Sequence, residues 1–357
     1  MKKILSLILA AALALSMCAC GSVTPAQNAA KTVMFTDSLG REVEIPADIT
    51  RVAPSGNVAN MFMLSIAPEY MVCISNEIHK EQEPYFLDGI ADLPITGQLY
   101  GSKSTLNLEQ LLSTEPQVII DIGDYKKGME EDLDALQQQT GLPVIFLKGD
   151  LQNMAETFRT LGTLLSGKTE RGEEIGKFID ETVAMAQENS AKISDDERVS
   201  VMFTCREDGL STNARGSTQS QVLEIVGAEN AIVVEELSNK GGGNVINMEQ
   251  LYNFNPELII FGADSIYDTV ADDAAWQQLD AIKNDNYYEI PALPYNFMSE
   301  PPSVNMILGI WWCGNLVYPE VYNYNVVEKL QQAFDIFWQY ELTEAEAAEM
   351  LAKSNLK

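Results

Sequence analysis

The sequence predicts an α/β protein of two Rossmann-like lobes with parallel-rich sheets, joined by a single long helix, with a ligand cleft between the lobes. Three observations predict this. NLEQLLSTEP at 107–116 runs into the apolar QVII, and NMEQLYNFNP at 247–256 runs into ELII, 140 residues later. Five of the ten positions are identical, so one local unit recurs at domain-sized spacing. Short apolar runs alternate with helical or turn-rich segments, the order that a parallel sheet requires. Between the two halves, 169–193 carries Ile175, Phe178, Ile179, Thr182, Val183 and Ala186 at helical spacing, with charge on the other side. The expected organisation is a first lobe over 32–166, a bridging helix over 167–194, and a second lobe with terminal helices over 195–357.

The chain opens with Lys2 and Lys3, an apolar run over 4–15 and a small-residue exit. That pattern reads as a secretion signal over 1–19. The run is shorter than the roughly 20 residues a spanning helix needs. Ala19-Cys20-Gly21 resembles a bacterial lipobox with Cys20 as the acylated residue, and Cys18 is a competing site. The small, polar stretch 20–31 has the composition of a tether. The expected location is therefore extracytoplasmic, held at the outer face of the cell membrane by an N-terminal lipid alone.

Each repeat reads as one physical unit. Asn107 and Asn247 can cap a short helix, with Gln110 and Gln250 completing a capping box. Pro116 and Pro256 end it, and the following apolar run suits a strand buried on both faces. Further strands are expected at 51–53, 71–74, 117–122 and 143–147, and then at 199–204, 231–234, 258–261 and 287–290. Helices are expected from 150, over 304–317 and over 326–340, with a last exposed one over 344–353.

With a net charge of −29, the chain is unsuited to nucleic acid or to anionic lipid. Cys73, Cys205 and Cys313 have no short spacing, so no disulfide framework or zinc pattern follows. His79 is the only histidine and lies in the charged EIHKEQE. A catalytic triad would rest on it alone, and carboxylates are too abundant for any pair to mark acid–base work. The glycines at 241–243 permit close backbone approach but lack the spacing of a dinucleotide fingerprint. No resident cofactor or protein-held metal is expected, and any metal would arrive already chelated.

FTDSLGREVEIP at 35–46 followed by RVA, the two N-x-E-Q-L units, PPSVNMILGIWW at 301–312 and LVYPE at 316–320 together resemble a known family. It is the family of periplasmic binding proteins for iron–siderophore, haem and cobalamin complexes. The resemblance implies two lobes, a cleft that holds ligand, limited closure, and an ABC importer permease as partner. It further implies that Glu109 and Glu249, one per lobe, dock that permease. Ligands of open α/β sheets sit beyond the carboxyl ends of the strands. The expected contacts are Ser55, Asn57, Tyr100 and Tyr125 from the first lobe, with Gly97–Ser102 and Asp124 nearby. The second lobe offers Arg206, Arg215, Asn244, Tyr295 and Phe297, with Cys205 and the segment 213–219 beside them. An arginine fork suits an oxygen-rich anionic group.

The reading is a monomeric, non-enzymatic binding protein for a metal chelate, ferric siderophore or cobalamin-like. Molybdate- or tungstate-type oxoanion, haem, and a surface-anchored chelatase-like enzyme stay open as alternatives.

Overall fold

A computed structural model describes residues 31–100, 104–238, 242–263 and 265–354. The lipobox cysteine Cys20 and the rest of the signal and tether up to residue 30 lie outside the described residues.

The chain enters through a hairpin, β1 (Thr32–Thr36) and β2 (Glu42–Pro46). The first sheet is parallel, in the order β3 (Val52–Pro54), β4 (Val118–Gly123), β5 (Val144–Lys148). Every residue of β4 is buried, as expected of a strand covered on both faces. The run expected to be a strand at 71–74 forms no ladder of its own. It touches β3 through a single parallel bridge, Val52 to Met71. The second sheet is also parallel, in the order β11 (Tyr287–Glu289), β10 (Leu258–Phe261), β6 (Ser200–Phe203), β8 (Glu229–Asn230). Here the expected strand at 231–234 forms two residues earlier, as β8. A small antiparallel pair, β7 (Ser211–Thr212) and β9 (Asn244–Val245), lies beside it.

The two lobes share one strand order. In each sheet the strand after the repeated helix, β4 or β10, lies between the first parallel strand of its lobe, β3 or β6, and the last, β5 or β11. Those helices are α2 (Leu108–Ser113) and α7 (Met248–Phe254). Asn107 and Asn247 each accept a hydrogen bond from the backbone N–H three residues on. The reciprocal glutamine bond forms only at Asn247, so only α7 has the full capping box. The helices end before Pro116 and Pro256 as expected, and the residues preceding the prolines, Glu115 (φ 49°) and Asn255 (φ 38°), are left-handed, which turns the chain from helix into strand.

Other first-lobe helices are α1 (Asn57–Ile66), α3 (Met129–Thr140) and α4 (Met154–Leu164). The long helix is α5 (Thr169–Ser190). It lies against α4 at backbone contact, because a Cβ on Gly172 would stand 2.5 Å from the Phe158 carbonyl oxygen. At its other end Tyr322 donates to the Ala186 carbonyl at 3.0 Å, tying α5 to the second lobe. After α6 (Gln221–Ile225) and α8 (Asp280–Lys283), the chain finishes with α9 (Asn305–Val317), α10 (Val326–Trp338) and α11 (Glu344–Met350).

The linkage between lobes is broader than the single helix expected. Helix α10 packs on α1 as well as on α9 and α5. Arg171 of α5 donates to the Ser65 carbonyl at the end of α1 and to the Ile336 carbonyl in α10. One continuous apolar core therefore runs through both lobes behind the cleft. Cys73, Cys205 and Cys313 are each free and buried.

The turn of the hairpin seals an open sheet edge. Among the described residues strand β5 has no further strand partner, which would leave backbone groups unpaired. Ser38 N–H donates to the Phe146 carbonyl at 2.9 Å, and Phe146 N–H donates to the Asp37 carboxylate at 3.2 Å. Arg41 forks onto Asp37 at 2.7 and 3.0 Å and also donates to the Val144 carbonyl at 2.7 Å. The Arg41 and Asp37 side chains are 6% and 0% exposed. Breaking a buried pair costs about 3–5 kcal/mol, because the remaining charge is uncompensated. Three backbone N–H groups still serve Asp37, so the lower end applies here. Arg41→Ala is expected to lower unfolding stability by about 3 kcal/mol in urea titration. A loss under about 1 kcal/mol would mean that the pair is not what holds the hairpin on the edge.

Candidate functional site

The carboxyl ends of β6, β10 and β11 open onto a cleft of about 350 Å³. Cys205 and Arg206 follow β6, Gly262 and Ala263 follow β10, and Pro294, Tyr295, Asn296 and Glu300 come from the segment after β11. The first lobe supplies Gln82, whose side chain donates to the Pro294 carbonyl at 2.6 Å. A second contact between lobes joins Thr218 Oγ1 to the Asp124 carboxylate at 2.5 Å. A third joins Leu151 N–H to the Gln221 side-chain oxygen at 3.3 Å.

Arg206 is seated by the glycine loop. A Cβ on Gly242 would lie 2.5 Å from its guanidinium Nη2, and one on Gly243 would lie 2.1 Å from the Thr212 carbonyl oxygen. Both glycines have positive φ, 105° and 65°. The close backbone approach expected of this loop is therefore an approach to protein groups that flank the cleft. Beneath it, Cys205 Sγ donates to the Gly242 carbonyl at 3.1 Å. Burial pushes this thiol up to about 12, with the Glu300 carboxylate adding to the shift. Burial also raises the Glu300 carboxyl above its ordinary range, opposed by Arg206. The Tyr295 hydroxyl is likewise raised by burial, and its ring lies 5.9 Å from Phe86 of the first lobe.

Of the residues expected at the site, Arg206 and Tyr295 lie in the cleft wall. Five others are engaged elsewhere. Phe297 is fully buried in the shared core, so its ring does not face ligand. Ser55 is 1% exposed and its hydroxyl donates to the buried Asp121 carboxylate. Arg215 pairs with Glu229 at 2.7 Å and donates to the Asn230 carbonyl, an ordinary structural ion pair. Asn244 bonds Ser238 N–H and the Glu236 carbonyl, holding its own loop. Tyr100 packs against the outer core of the first lobe, with Lys126 4.6 Å from its ring centre. Its hydroxyl is buried without a partner, and burial and Asp121 raise its pKa.

Asn57 stands at the first turn of α1 and accepts hydrogen bonds from Ser75 and Asn76. Tyr125 is 67% exposed and follows Asp124. Residues 101–102 and Gly241 lie outside the described residues. Glu109 and Glu249 are both exposed in the first turns of α2 and α7. Each helix starts at the rim where the strands' carboxyl ends open.

Asn296, inside the expected run 295–297, also lines the cleft, whereas Gln82, Glu207 and Glu300 were missed by sequence reasoning. Nothing in the chain separated Glu300 from the other acids, since its significance comes only from its burial beside Arg206. Among the described residues, no group of three or more His, Cys, Asp or Glu side chains is placed to hold a metal ion. No helix among them is long and apolar enough to cross a membrane.

The sequence profile of the periplasmic binding proteins matches residues 52–293. No functionally curated protein matches the chain. Among solved structures, an ABC transporter solute binding protein from Sulfurospirillum deleyianum is 25% identical, with a TM-score of 0.81, over 89% of this chain and 99% of that one. A periplasmic solute binding protein from Veillonella parvula is 21% identical, with a TM-score of 0.73, over 91% and 99%. The molybdate periplasmic binding protein of a Haemophilus influenzae ABC transporter, solved with molybdate, is 17% identical, with a TM-score of 0.70, over 87% and 99%. The profile spans more than half of the chain, and the two-lobe α/β architecture agrees with it. The chain belongs to the periplasmic binding protein family, the solute-binding components of ABC transporters.

Proposed function

We propose that this protein captures a compact metal chelate in the cleft between its lobes and delivers it to an importer permease. The observation that carries the reading is the cleft itself. It lies beyond the carboxyl ends of β6, β10 and β11, where open α/β sheets bind ligands. Its volume of about 350 Å³ is at the lower end of the range for small-molecule sites, roughly 300–1,000 Å³. That size suits a chelate of ordinary small-molecule dimensions better than a much larger corrinoid. Arg206 offers a fork to ligand oxygens, Gln82 and Asn296 offer amides, and the Tyr295 ring offers a flat apolar face. Catalysis finds no support in this wall, where the Cys205 thiol is held protonated by burial.

A thermal-shift panel tests the ligand class on the protein lacking its signal and Cys20. Ferric siderophores, cobalamin, haem, molybdate and tungstate form the panel. Binding at 100 times the dissociation constant adds about 2.7 kcal/mol, so a shift of a few degrees is expected with a ferric chelate. A shift with molybdate or tungstate alone would replace the chelate reading with the oxoanion one.

Glu109 and Glu249 are proposed as the permease contacts. An acid at a helix N-terminus is favourable by itself, by about 0.3–1 kcal/mol, but that does not require the same acid at the same position in both lobes. Reversing both charges, Glu109→Arg with Glu249→Arg, is expected to abolish uptake in cells while ligand affinity is unchanged. Uptake at the normal rate would remove these two residues from the docking surface.

Membrane attachment through lipidated Cys20 rests on the sequence pattern at 17–21. Cys20→Ser is expected to release the protein into the soluble fraction, with the mass of two or more acyl chains lost from its N-terminus. A lipid-bearing Cys20→Ser product would shift the acylation to Cys18.

A further inference from the structure

Two carboxylates border the cleft, and they differ in setting. Glu207 is exposed, whereas Glu300 is half-buried in the cleft wall, close enough to Cys205 and Arg206 to act on both electrostatically. Its own segment is rich in buried polar groups. Ser299 and Ser303 are 1% and 0% exposed, and neither hydroxyl has a partner. Asn296, on the same segment, faces the cleft and also organises it, accepting from Met298 N–H at 2.9 Å.

A carboxylate withdrawn from water is unfavourable unless donors or opposite charge compensate it. Here Arg206 is the charge that opposes its desolvation. Placing a bare oxoanion in this space would oppose Arg206's attraction with repulsion from Glu300 and Glu207, in surroundings of lower dielectric than water. A ligand presenting N–H or O–H donors, or net positive charge, would instead complete the coordination of Glu300. Such a ligand can still give its oxygens to Arg206.

We propose that Glu300 is the specificity-determining group of the cleft, selecting metal chelates that present hydrogen-bond donors or positive charge and rejecting bare oxoanions. The proposal rests on the chelate reading above. It adds the sign of the ligand face that meets the second lobe.

Isothermal titration at pH 7.5 tests it, using ferrioxamine B as a cationic ferric chelate, ferric citrate as an anionic one, and molybdate. The wild-type protein is expected to bind ferrioxamine B at least tenfold more tightly than ferric citrate, and molybdate not at all. In Glu300→Gln that preference is expected to shrink at least tenfold. Equal preference in both proteins would overturn the role of Glu300 while leaving the chelate reading intact. Tighter binding of ferric citrate or molybdate by the wild type would overturn it as well. No binding of either ferric chelate by the wild type would overturn the chelate reading and, with it, the proposal.

The ligand-free variant supplies a control on folding. A carboxyl whose pKa is raised on folding binds its proton more tightly in the native state. It therefore weakens the native state as pH rises above the unfolded value of about 4.3. Glu300→Gln is expected to melt higher than wild type at pH 7.5, with the gap closing toward pH 4. The titratable and charged groups that line the cleft with Glu300 are Cys205, Arg206, Glu207 and Tyr295, and of these only Arg206 carries a charge that relieves it. A variant that melts lower than wild type at pH 7.5 would make Glu300 a structural residue and overturn the proposal.

Discussion

The apolar core behind the cleft is the constraint on which the remainder of this molecule depends. Helix α5 is rooted in the first lobe by backbone contact with α4 and in the second by Tyr322. Helix α10 then returns from the second lobe to pack on α1. Phe178 and Phe337 meet at 5.7 Å where α5 and α10 cross, and Arg171 ties both to the end of α1. Burying each such aromatic side chain stabilises by about 1.5–3 kcal/mol, and prising the lobes apart at the back would expose several together. Large hinge opening would therefore uncover core. What can move at low cost is the front, where the contacts between lobes are single hydrogen bonds such as Gln82 to Pro294.

A chain of rings connects that rigid back to the site. Tyr295 in the cleft wall lies near Phe86, Phe86 meets Trp338 at 6.3 Å, and Trp338 stacks edge-on to Phe334 at 4.8 Å. Phe86 belongs to the first lobe, whereas Trp338 and Phe334 lie on α10. The position of Tyr295 is thus set by residues of both lobes. Its orientation in the cleft wall is coupled to the same packing that resists opening at the back.

Much of the architecture was legible in the chain because its signals are local. The N-x-E-Q-L-to-proline unit carries its own cap, stop and buried strand, so it reads correctly wherever it stands. Both copies accordingly feed the strand that lies between the first and last parallel strands of their lobe. The misread strands share a different cause. The run 71–74 is apolar and β-prone, yet a strand exists only if a neighbour offers a free edge in register, and there only isolated bridges form, Met71 to Val52 and Ile74 to Ile95. For β8, pairing with β6 starts at Glu229, two residues before the apolar run, because the ladder follows the partner's register rather than hydrophobicity. The second connection through α10 could not be read at all, since its apolar face looks the same whether it covers one lobe or two.

Site residues were legible only where position along a strand decided them. Arg206 and Tyr295 were found because they follow β6 and β11, and the carboxyl ends of those strands open on the cleft. Ser55 follows β3 in the same way, but its hydroxyl is consumed by Asp121, a partner 66 residues away that no local pattern announces. Arg206 and Arg215 looked alike as cations in an acidic chain, yet only one stands beside the cleft. The difference lies in the glycine loop. Gly242 and Gly243 let the backbone press between the Arg206 guanidinium and β7, whereas Arg215 turns back to the end of β8 and pairs with Glu229. The glycines thus act on function through a neighbour's side chain. A residue larger than glycine at 242 would displace Arg206 before it disturbed anything else in the fold. That makes Gly242 and Gly243 a positioning device for the one cation in the cleft wall among the described residues.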